Sequence, residues 1–222
     1  MALNRGSHVP HVFVPGPWDV STLPLGPDAS HHLYKVLRRS RGESISYTDG
    51  AGAIGTGTLD DNCVVRGTEY STPRAIRPMI AVAPPAQKDR LRFMVEKLSE
   101  LGVIEVRWLR SRFTEGRPPT VEKASAWSRM ALEQSRGAWM MDLPADFIDV
   151  GSLPQGTVFA DRTGSPPGSL AAVPAIAIGP EGGWDPDEIP AHAPKVRLSD
   201  RVLRVETAAL VAAAWSNPAI FS

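Results

Sequence analysis

The chain has 222 residues, 42% of them hydrophobic, with 24 basic and 24 acidic side chains, a composition that excludes a disordered chain and leaves room for one large domain or two modest ones. Zero net charge supplies no global field for nucleic acid, so any basic footprint has to be local. The single cysteine, Cys63, excludes an internal disulfide, and the five histidines (His8, His11, His31, His32 and His192) have no metal-ligand spacing, so a reduced compartment and no metal are expected.

Residues 1–73 are Gly-rich and read mostly as strands. His11-Val12-Phe13-Val14 is a short strand; Ile45-Ser46-Tyr47-Thr48 alternates and stops at Asp49-Gly50; residues 53–59 form the return limb of a hairpin. A small barrel follows from this pattern. Its one helical stretch, residues 31–39, puts Leu33, Val36 and Leu37 on one face and leaves Lys35, Arg38 and Arg39 outside. Such cations suit RNA phosphates, although a merely solvated helix face has the same pattern.

Between residues 70 and 77 the chain becomes polar and Pro-punctuated, which marks a linker and a second domain over 74–222. Met79-Ile80-Ala81-Val82-Ala83 is a buried strand stopped by Pro84-Pro85. Leu91, Met94, Val95, Leu98 and Leu101 then repeat at helical spacing, and Gly102 is placed to end the helix. A strand over 103–109 leads to Arg107, Arg110, Arg112 and Arg117, and a helix over 121–136 offers Trp127, Met130 and Ala131 to the core. Strands follow at 147–150 and 157–160, the second ending in Asp161-Arg162-Thr163-Gly164. Strand and helix alternate, so an α/β domain with a largely parallel sheet is expected, binding its ligand at the carboxyl ends of the strands.

Residues 175–214 organise the rest. An apolar strand, Ala175-Ile176-Ala177-Ile178, opens into Gly179-Pro180-Glu181-Gly182-Gly183, followed by a helix start at Asp185-Pro186-Asp187-Glu188; a strand at 196–198, a polar turn with Arg201 and Arg204, and a helix from Glu206-Thr207 complete it. The loop is neither GxxxxGK[ST] nor GxGxxG, and Glu181 would repel a pyrophosphate, so a nucleotide-like ligand without phosphates, and of cationic character, fits. Asp185, Asp187 and Glu188 are better explained by a helix dipole than by a metal. No G-x-S-x-G elbow supports Ser199 or His192 as part of a hydrolase. The first twenty residues hold no continuous apolar core, and the longest apolar run, residues 208–215, is far short of the ~20 that span a bilayer. This reads as a soluble cytoplasmic protein.

Several segments together carry a resemblance: His32-Leu33 with Val36-Leu37-Arg38, Lys88-Asp89-Arg90, Lys97 with Glu100-Leu101-Gly102-Val103, Glu133-Gln134-Ser135, Ile178 to Gly183, and Leu203-Arg204 with Glu206-Thr207-Ala208. In this order they resemble the RsmE family of small-subunit ribosomal RNA methyltransferases in the SPOUT superfamily. The resemblance implies a PUA-like RNA-binding barrel (1–73), then a SPOUT α/β domain (74–222) with a C-terminal trefoil knot, working as a homodimer. It implies S-adenosylmethionine as cofactor, held by Ile178, Gly179, Glu181, Gly182, Leu198, Leu203 and Thr207. Transfer would be to nitrogen-3 of a uridine in the decoding region, with Arg204 and Glu206 catalytic and Lys35, Arg38, Arg39 and Arg112 on RNA. Where the family usually has Leu-Gly-Pro and Thr, this chain has Leu198-Ser199-Asp200 and Val205. A ribose hydroxyl as acceptor, or a non-catalytic RNA-binding homologue, are the competing expectations.

Overall fold

The computed structural model describes residues 9–168 and 170–217; the ends of the two expected domains, 1–8 and 218–222, lie outside the described residues. The chain divides into two compact units, Met1–Arg74 with Leu132–Met140, and Ala75–Ala131 with Met141–Ser222.

In the first unit five strands, β1 (His11–Phe13), β2 (Thr22–Pro24), β3 (Ser44–Thr48), β4 (Ala53–Asp60) and β5 (Cys63–Ser71), form one sheet in the order β1-β3-β4-β5-β2. The hairpin read between residues 45 and 59 is β3–β4, antiparallel, while β1 runs parallel to β3. Alternation sends Ile45 and Tyr47 inward against Val12, Leu33, Leu59 and Val64. Gly55 is required there, because a Cβ would lie 2.3 Å from the Tyr47 ring. Tyr47 is thereby laid across its own sheet, and its hydroxyl donates to Glu69 at 2.6 Å. Burial, then this carboxylate, push the phenol up to about 12. The curled sheet has the PUA-like class that the resemblance implied.

The helical stretch differs from expectation. It begins earlier, as α1 (Pro27–His31) with Pro27 in its first turn, and passes into one π-helical turn, His32–Val36. The wider turn, with Leu37 N–H donating to His32 and Arg39 N–H to Leu33, rotates the apolar face. Leu33 is fully buried, but Val36 and Leu37 are exposed, and Arg38 leaves the helix at φ +53°.

The second unit is a six-stranded, wholly parallel sheet: β6 (Met79–Val82), β7 (Val106–Arg110), β8 (Phe147–Asp149), β9 (Val158–Ser165), β10 (Ala175–Ile178) and β11 (Lys195–Val196), in the order β11-β9-β10-β6-β7-β8. Central strands β6 and β10 are buried at every position, as continuous apolar runs require when both faces are covered. Helix α2 (Lys88–Glu100) buries Leu91, Met94, Val95 and Leu98, and ends at Gly102 with φ +72° while Arg77 donates to the Leu101 carbonyl at 3.0 Å. Removing a side chain such as Leu98 by Leu98→Ala is a loss of about 2–5 kcal/mol. Helix α3 (Val121–Ser135) buries Ala124, Ser128 and Ala131, with Trp127 partly buried; Met130, expected inside, is 48% exposed because it lies off that i, i+4, i+7 row. Helix α4 (Val205–Trp215) returns from the β11 edge to the centre, contacting β6, β10 and α2. The parallel α/β sheet has the SPOUT class.

Two further expectations fail. Strand and helix do not alternate throughout, since no α-helix is described between β8 and β11, and β9 continues through Asp161-Arg162-Thr163-Gly164 to Ser165, where Val196 of β11 pairs with it. The acidic segment 185–188 is a turn, not a helix: the Asp185 carboxylate accepts from Asp187 N–H, and Glu188 accepts from Asp185 N–H, Arg112 N–H and the Ser111 hydroxyl. Carboxylates that favour a helix start satisfy a turn backbone equally well.

Buried His11 gives the first unit a pH signature. Its Nδ1 lies 2.9 Å from Ser46 Oγ and its Nε2 3.2 Å from the Gly137 carbonyl. Burial lowers its pKa below 6.5, the Gly137 carbonyl opposes, and Arg136 adds to the depression. The unfolded chain therefore takes up the proton first, so the stabilisation is complete above 6.5 and is lost as pH falls below it. Thermal melts of the protein should drop between about pH 7 and pH 5, and His11→Gln should flatten that slope; an unchanged slope would remove His11 as its cause.

Candidate active site

The register of the parallel strands brings three strand exits together. Ile178 is opposite Val82 on one side and Ala160 on the other, so β6 and β10 end at the level of Ala160, beyond which β9 runs on to pair with β11. Beyond that level a cavity of about 470 Å³ opens between the β9 and β10 exits and the segment that follows β11. It is large enough for a nucleoside-sized molecule.

One wall is the loop after β10. Gly179 cannot be another residue without displacement, because a Cβ would sit 2.8 Å from the Trp184 indole. The indole is fixed from two sides: its Nε1 donates to the Ala160 carbonyl at 2.9 Å, and its ring meets Phe159 edge to face. The opposite wall is the turn after β11, with Arg197, Leu198, Ser199, Arg201, Val202 and Leu203. Ser199, where the family pattern has Gly, caps this turn by accepting from Arg201 N–H at 3.1 Å. The floor is apolar, made by Ile178, Val205 and Ala208.

Charges of both signs line the cavity. Asp161 accepts from the Thr163 amide and hydroxyl at 2.7 and 2.6 Å. Burial pushes its carboxyl up, but those bonds and Lys195 outweigh burial and hold it below the ordinary value. Asp161 is therefore ionised at neutral pH, beside Glu181 and among Arg162, Arg197 and Arg201. Apolar walls with fixed carboxylates and guanidiniums suit a flat heterocycle carrying an amino-acid-like group with both charges.

The structure brings most of the sequence-read cofactor residues together: Ile178, Gly179, Glu181, Gly182, Leu198 and Leu203 all line the cavity. Thr207 does not; its side chain is exposed, and α4 presents Val205 and Ala208 instead. Arg204 is the exposed N-cap residue of α4. Glu206 is 6% exposed and makes no ion pair with Arg204; its Oε1 lies 3.8 Å from Arg90 Nε, and its Oε2 is buried without a hydrogen-bond partner.

Arg90 was not singled out for a role by sequence reasoning. It donates to Glu181 Oε1 at 2.8 Å while facing Glu206, so one guanidinium joins the loop after β10 to the start of α4. An acidic residue in each segment and a cation at the mouth of α2 were the available signal. Of the residues read as RNA contacts, Lys35 and Arg38 are exposed and make no ion pair with another described residue. Arg39 bonds Glu43 at 3.0 Å, and Arg112 bonds Asp185 at 2.7 Å. Among the described residues no cluster of metal ligands occurs, and no helix is long and apolar enough to cross a membrane.

Comparison with known proteins gives the site its context. Residues 73–217 match the model of the RNA methyltransferase domain family. The ribosomal RNA small subunit methyltransferase E of Synechocystis is 28% identical over 225 residues, covering 89% of this chain and 73% of that protein. A probable rRNA-methyltransferase from Porphyromonas gingivalis superposes with a TM-score of 0.79 at 29% identity, over 93% of this chain and 96% of that one. The small subunit methyltransferase E of Neisseria gonorrhoeae, solved with S-adenosyl methionine, superposes at 0.78 with 24% identity, over 93% and 96%.

The Arg90 bridge yields a prediction. Arg90→Met removes the link between the two segments and is expected to weaken ligand binding in the larger cavity about tenfold, with Arg90→Lys intermediate because Lys cannot form the fork. Calorimetric titration checks this, and equal affinity in all three proteins would show the bridge to be idle.

Proposed function

Because the chain belongs to the RNA methyltransferase domain family, and is an RsmE-type, S-adenosylmethionine-dependent methyltransferase of small-subunit ribosomal RNA in the SPOUT superfamily, we propose that its acceptor is ring nitrogen-3 of a uridine in the decoding region. The observation that supports the methyltransferase reading is the Gly179–Gly183 cavity, apolar at its floor and lined by charges of both signs, at the carboxyl ends of a parallel sheet. Residues 1–73 serve as the RNA-binding domain and 74–222 as the methyltransferase domain. The enzyme is cytoplasmic and works as a homodimer, on ribosomal RNA or a ribosomal particle.

The residues present fit S-adenosylmethionine. Apolar Ile178, Leu198 and Leu203 would flank the adenine, backbone groups of Gly179 and Gly182 would approach it closely, and Asp161, Glu181 and the arginines would meet the charged methionine portion. When bound, the cofactor supplies an electrophilic methyl carbon on a sulfonium.

The chain's own work is positioning and charge. A uridine imide carries a proton at nitrogen-3 and becomes an anion when it loses it, so a fixed cation at the acceptor lowers the barrier. Arg204, exposed at the N-terminus of α4, is the residue assigned to that anion or to the adjoining phosphate. Glu206, buried 3.8 Å from Arg90, acts by holding Arg90 and through it Glu181. Thr207 is assigned to the cofactor only through the resemblance. Lys35, Arg38, Arg39 and Arg112 hold RNA phosphates in register.

Arg204→Ala should lower methyl transfer about tenfold or more, with cofactor affinity by calorimetry unchanged; undiminished transfer would remove Arg204 from the chemistry. Reverse transcription of the product RNA identifies the acceptor, since a methyl on uridine nitrogen-3 blocks Watson–Crick pairing and stops extension outright. Mere pausing at low nucleotide concentration would indicate a ribose methyl instead. Replacing Lys35 and Arg38 together by Ala should weaken RNA binding and reduce the log–log salt slope by about 1–2; an unchanged slope would take them off the phosphate backbone.

A further inference from the structure

A second cavity, of about 240 Å³, adjoins the first on the other side of the loop after β10. We propose that it seats the acceptor base, a single pyrimidine ring turned out of the RNA, with Phe113 as its stacking platform. The proposal rests on the methyltransferase reading above and assigns the acceptor's place within it.

Position is the first argument. The two cavities share Pro180, Glu181, Gly182 and Val205 in their linings, so they adjoin at this loop and side chain and a molecule in one has a molecule in the other as its neighbour. Group transfer requires its two partners about 3–3.5 Å apart at the reacting atoms. The smaller cavity lies at the β6 and β7 exits, as the larger lies at those of β9 and β10, so two ligand seats border one loop at one sheet edge.

Chemistry is the second. Pro84, Pro85, Phe113 and Val205 give apolar walls, and no lysine or arginine lines the cavity. Its ionisable lining groups are the carboxylates Glu115 and Glu181, which repel a phosphate and admit a neutral ring, while Arg204, the cation assigned to the ring once it is deprotonated, directly precedes the lining residue Val205. The volume is below the roughly 300–1,000 Å³ of ordinary small-molecule sites, which suits one heterocycle and not a whole nucleotide. Enzymes that modify a base inside structured RNA must unstack it and replace the lost stacking with an aromatic or apolar face.

The seat is also built to hold its shape. A Cβ on Gly116 would come 2.0 Å from the Pro84 carbonyl oxygen, so the segment carrying Phe113 and Glu115 is pressed onto the buried Pro84-Pro85 step. A Cβ on Gly182 would lie 3.1 Å from Phe113 Cβ, so the glycine of the shared loop makes room for this ring. Phe113 itself remains 44% exposed, and the Arg112 guanidinium, held by Asp185, lies over its ring 5.8 Å from the centroid.

The test is methyl transfer to small-subunit ribosomal RNA by the full chain, beside calorimetric titration with S-adenosylmethionine. Phe113→Ala should raise KM for RNA about 5- to 100-fold, Phe113→Trp should retain near-normal KM, and cofactor affinity should stay within about threefold in both. Ala86→Trp, which fills the cavity from its exposed rim, should reduce transfer to about 1% or less with cofactor binding preserved. Normal transfer by Phe113→Ala or Ala86→Trp, or loss of cofactor binding in both, would overturn the assignment. Absence of transfer by the unmodified protein would overturn the methyltransferase reading itself, which the variants alone do not.

Discussion

The parallel pairing of β10 with β6 on one side and β9 on the other is the constraint on which the rest of this molecule depends. Ile178 stands opposite Val82 and Ala160 at once, and its carbonyl accepts from Ala83 N–H at 2.9 Å. Strands β6 and β10 are thus released from the sheet at one level while β9 runs on beside them, and the loops after the two meet there. Parallel strands create this edge because all their carboxyl ends point one way, and the covered faces leave the edge as the open surface. Both cavities follow from it, the larger between β9 and β10 and the smaller between β10 and β6.

What the loops do at that edge is decided by small residues and one guanidinium. Gly179 accepts the Trp184 indole against its backbone and Gly182 accepts Phe113, so each side of the same five-residue loop is shaped by an aromatic ring. Arg90 then ties the loop through Glu181 to Glu206 at the start of α4. Glu206 is nearly wholly buried, and a buried carboxylate without a cation would be strongly unfavourable. Charge pairing here holds two elements in relation to each other, and its contribution to stability is secondary to that.

Much of the second unit was legible in the sequence for a plain reason: β6 and β10 are covered on both faces, so they read as unbroken apolar runs, and α2 carries a full stripe ended by glycine. The failures share a physical cause. Pro186 with Asp185 and Glu188 satisfies a turn backbone as readily as a helix N-terminus, and only the location of Ser111 and Arg112, more than seventy residues away in sequence, decides between them. Likewise the π turn at His32–Val36 moves Val36 and Leu37 outward without changing their spacing in sequence. The residues read from the glycine loop come to the cavity lining because glycines mark close approach of backbone. Arg90 has no signature in the sequence because the two carboxylates it faces are brought to it by the fold, and Thr207 stands one helical step from Ala208, which lines the cavity.

The same logic governs how a chain of zero net charge attends to RNA. A basic segment counts only for the cations left over after local pairing. Arg39 is engaged by Glu43, Arg41 by Asp60 and Asp61, Arg66 by Glu69, Arg107 by Glu105 and Asp142, and Arg112 by Asp185. Lys35 and Arg38, at the end of a π turn and flanked by the exposed Val36 and Leu37, stand outside these ion pairs. Two such cations on the helical segment of the first unit displace few counterions between them, so that segment contributes modestly to affinity and to its salt dependence. Under the proposal above, shape and an unstacked base add to that contribution, a task to which the apolar walls of the smaller cavity are suited.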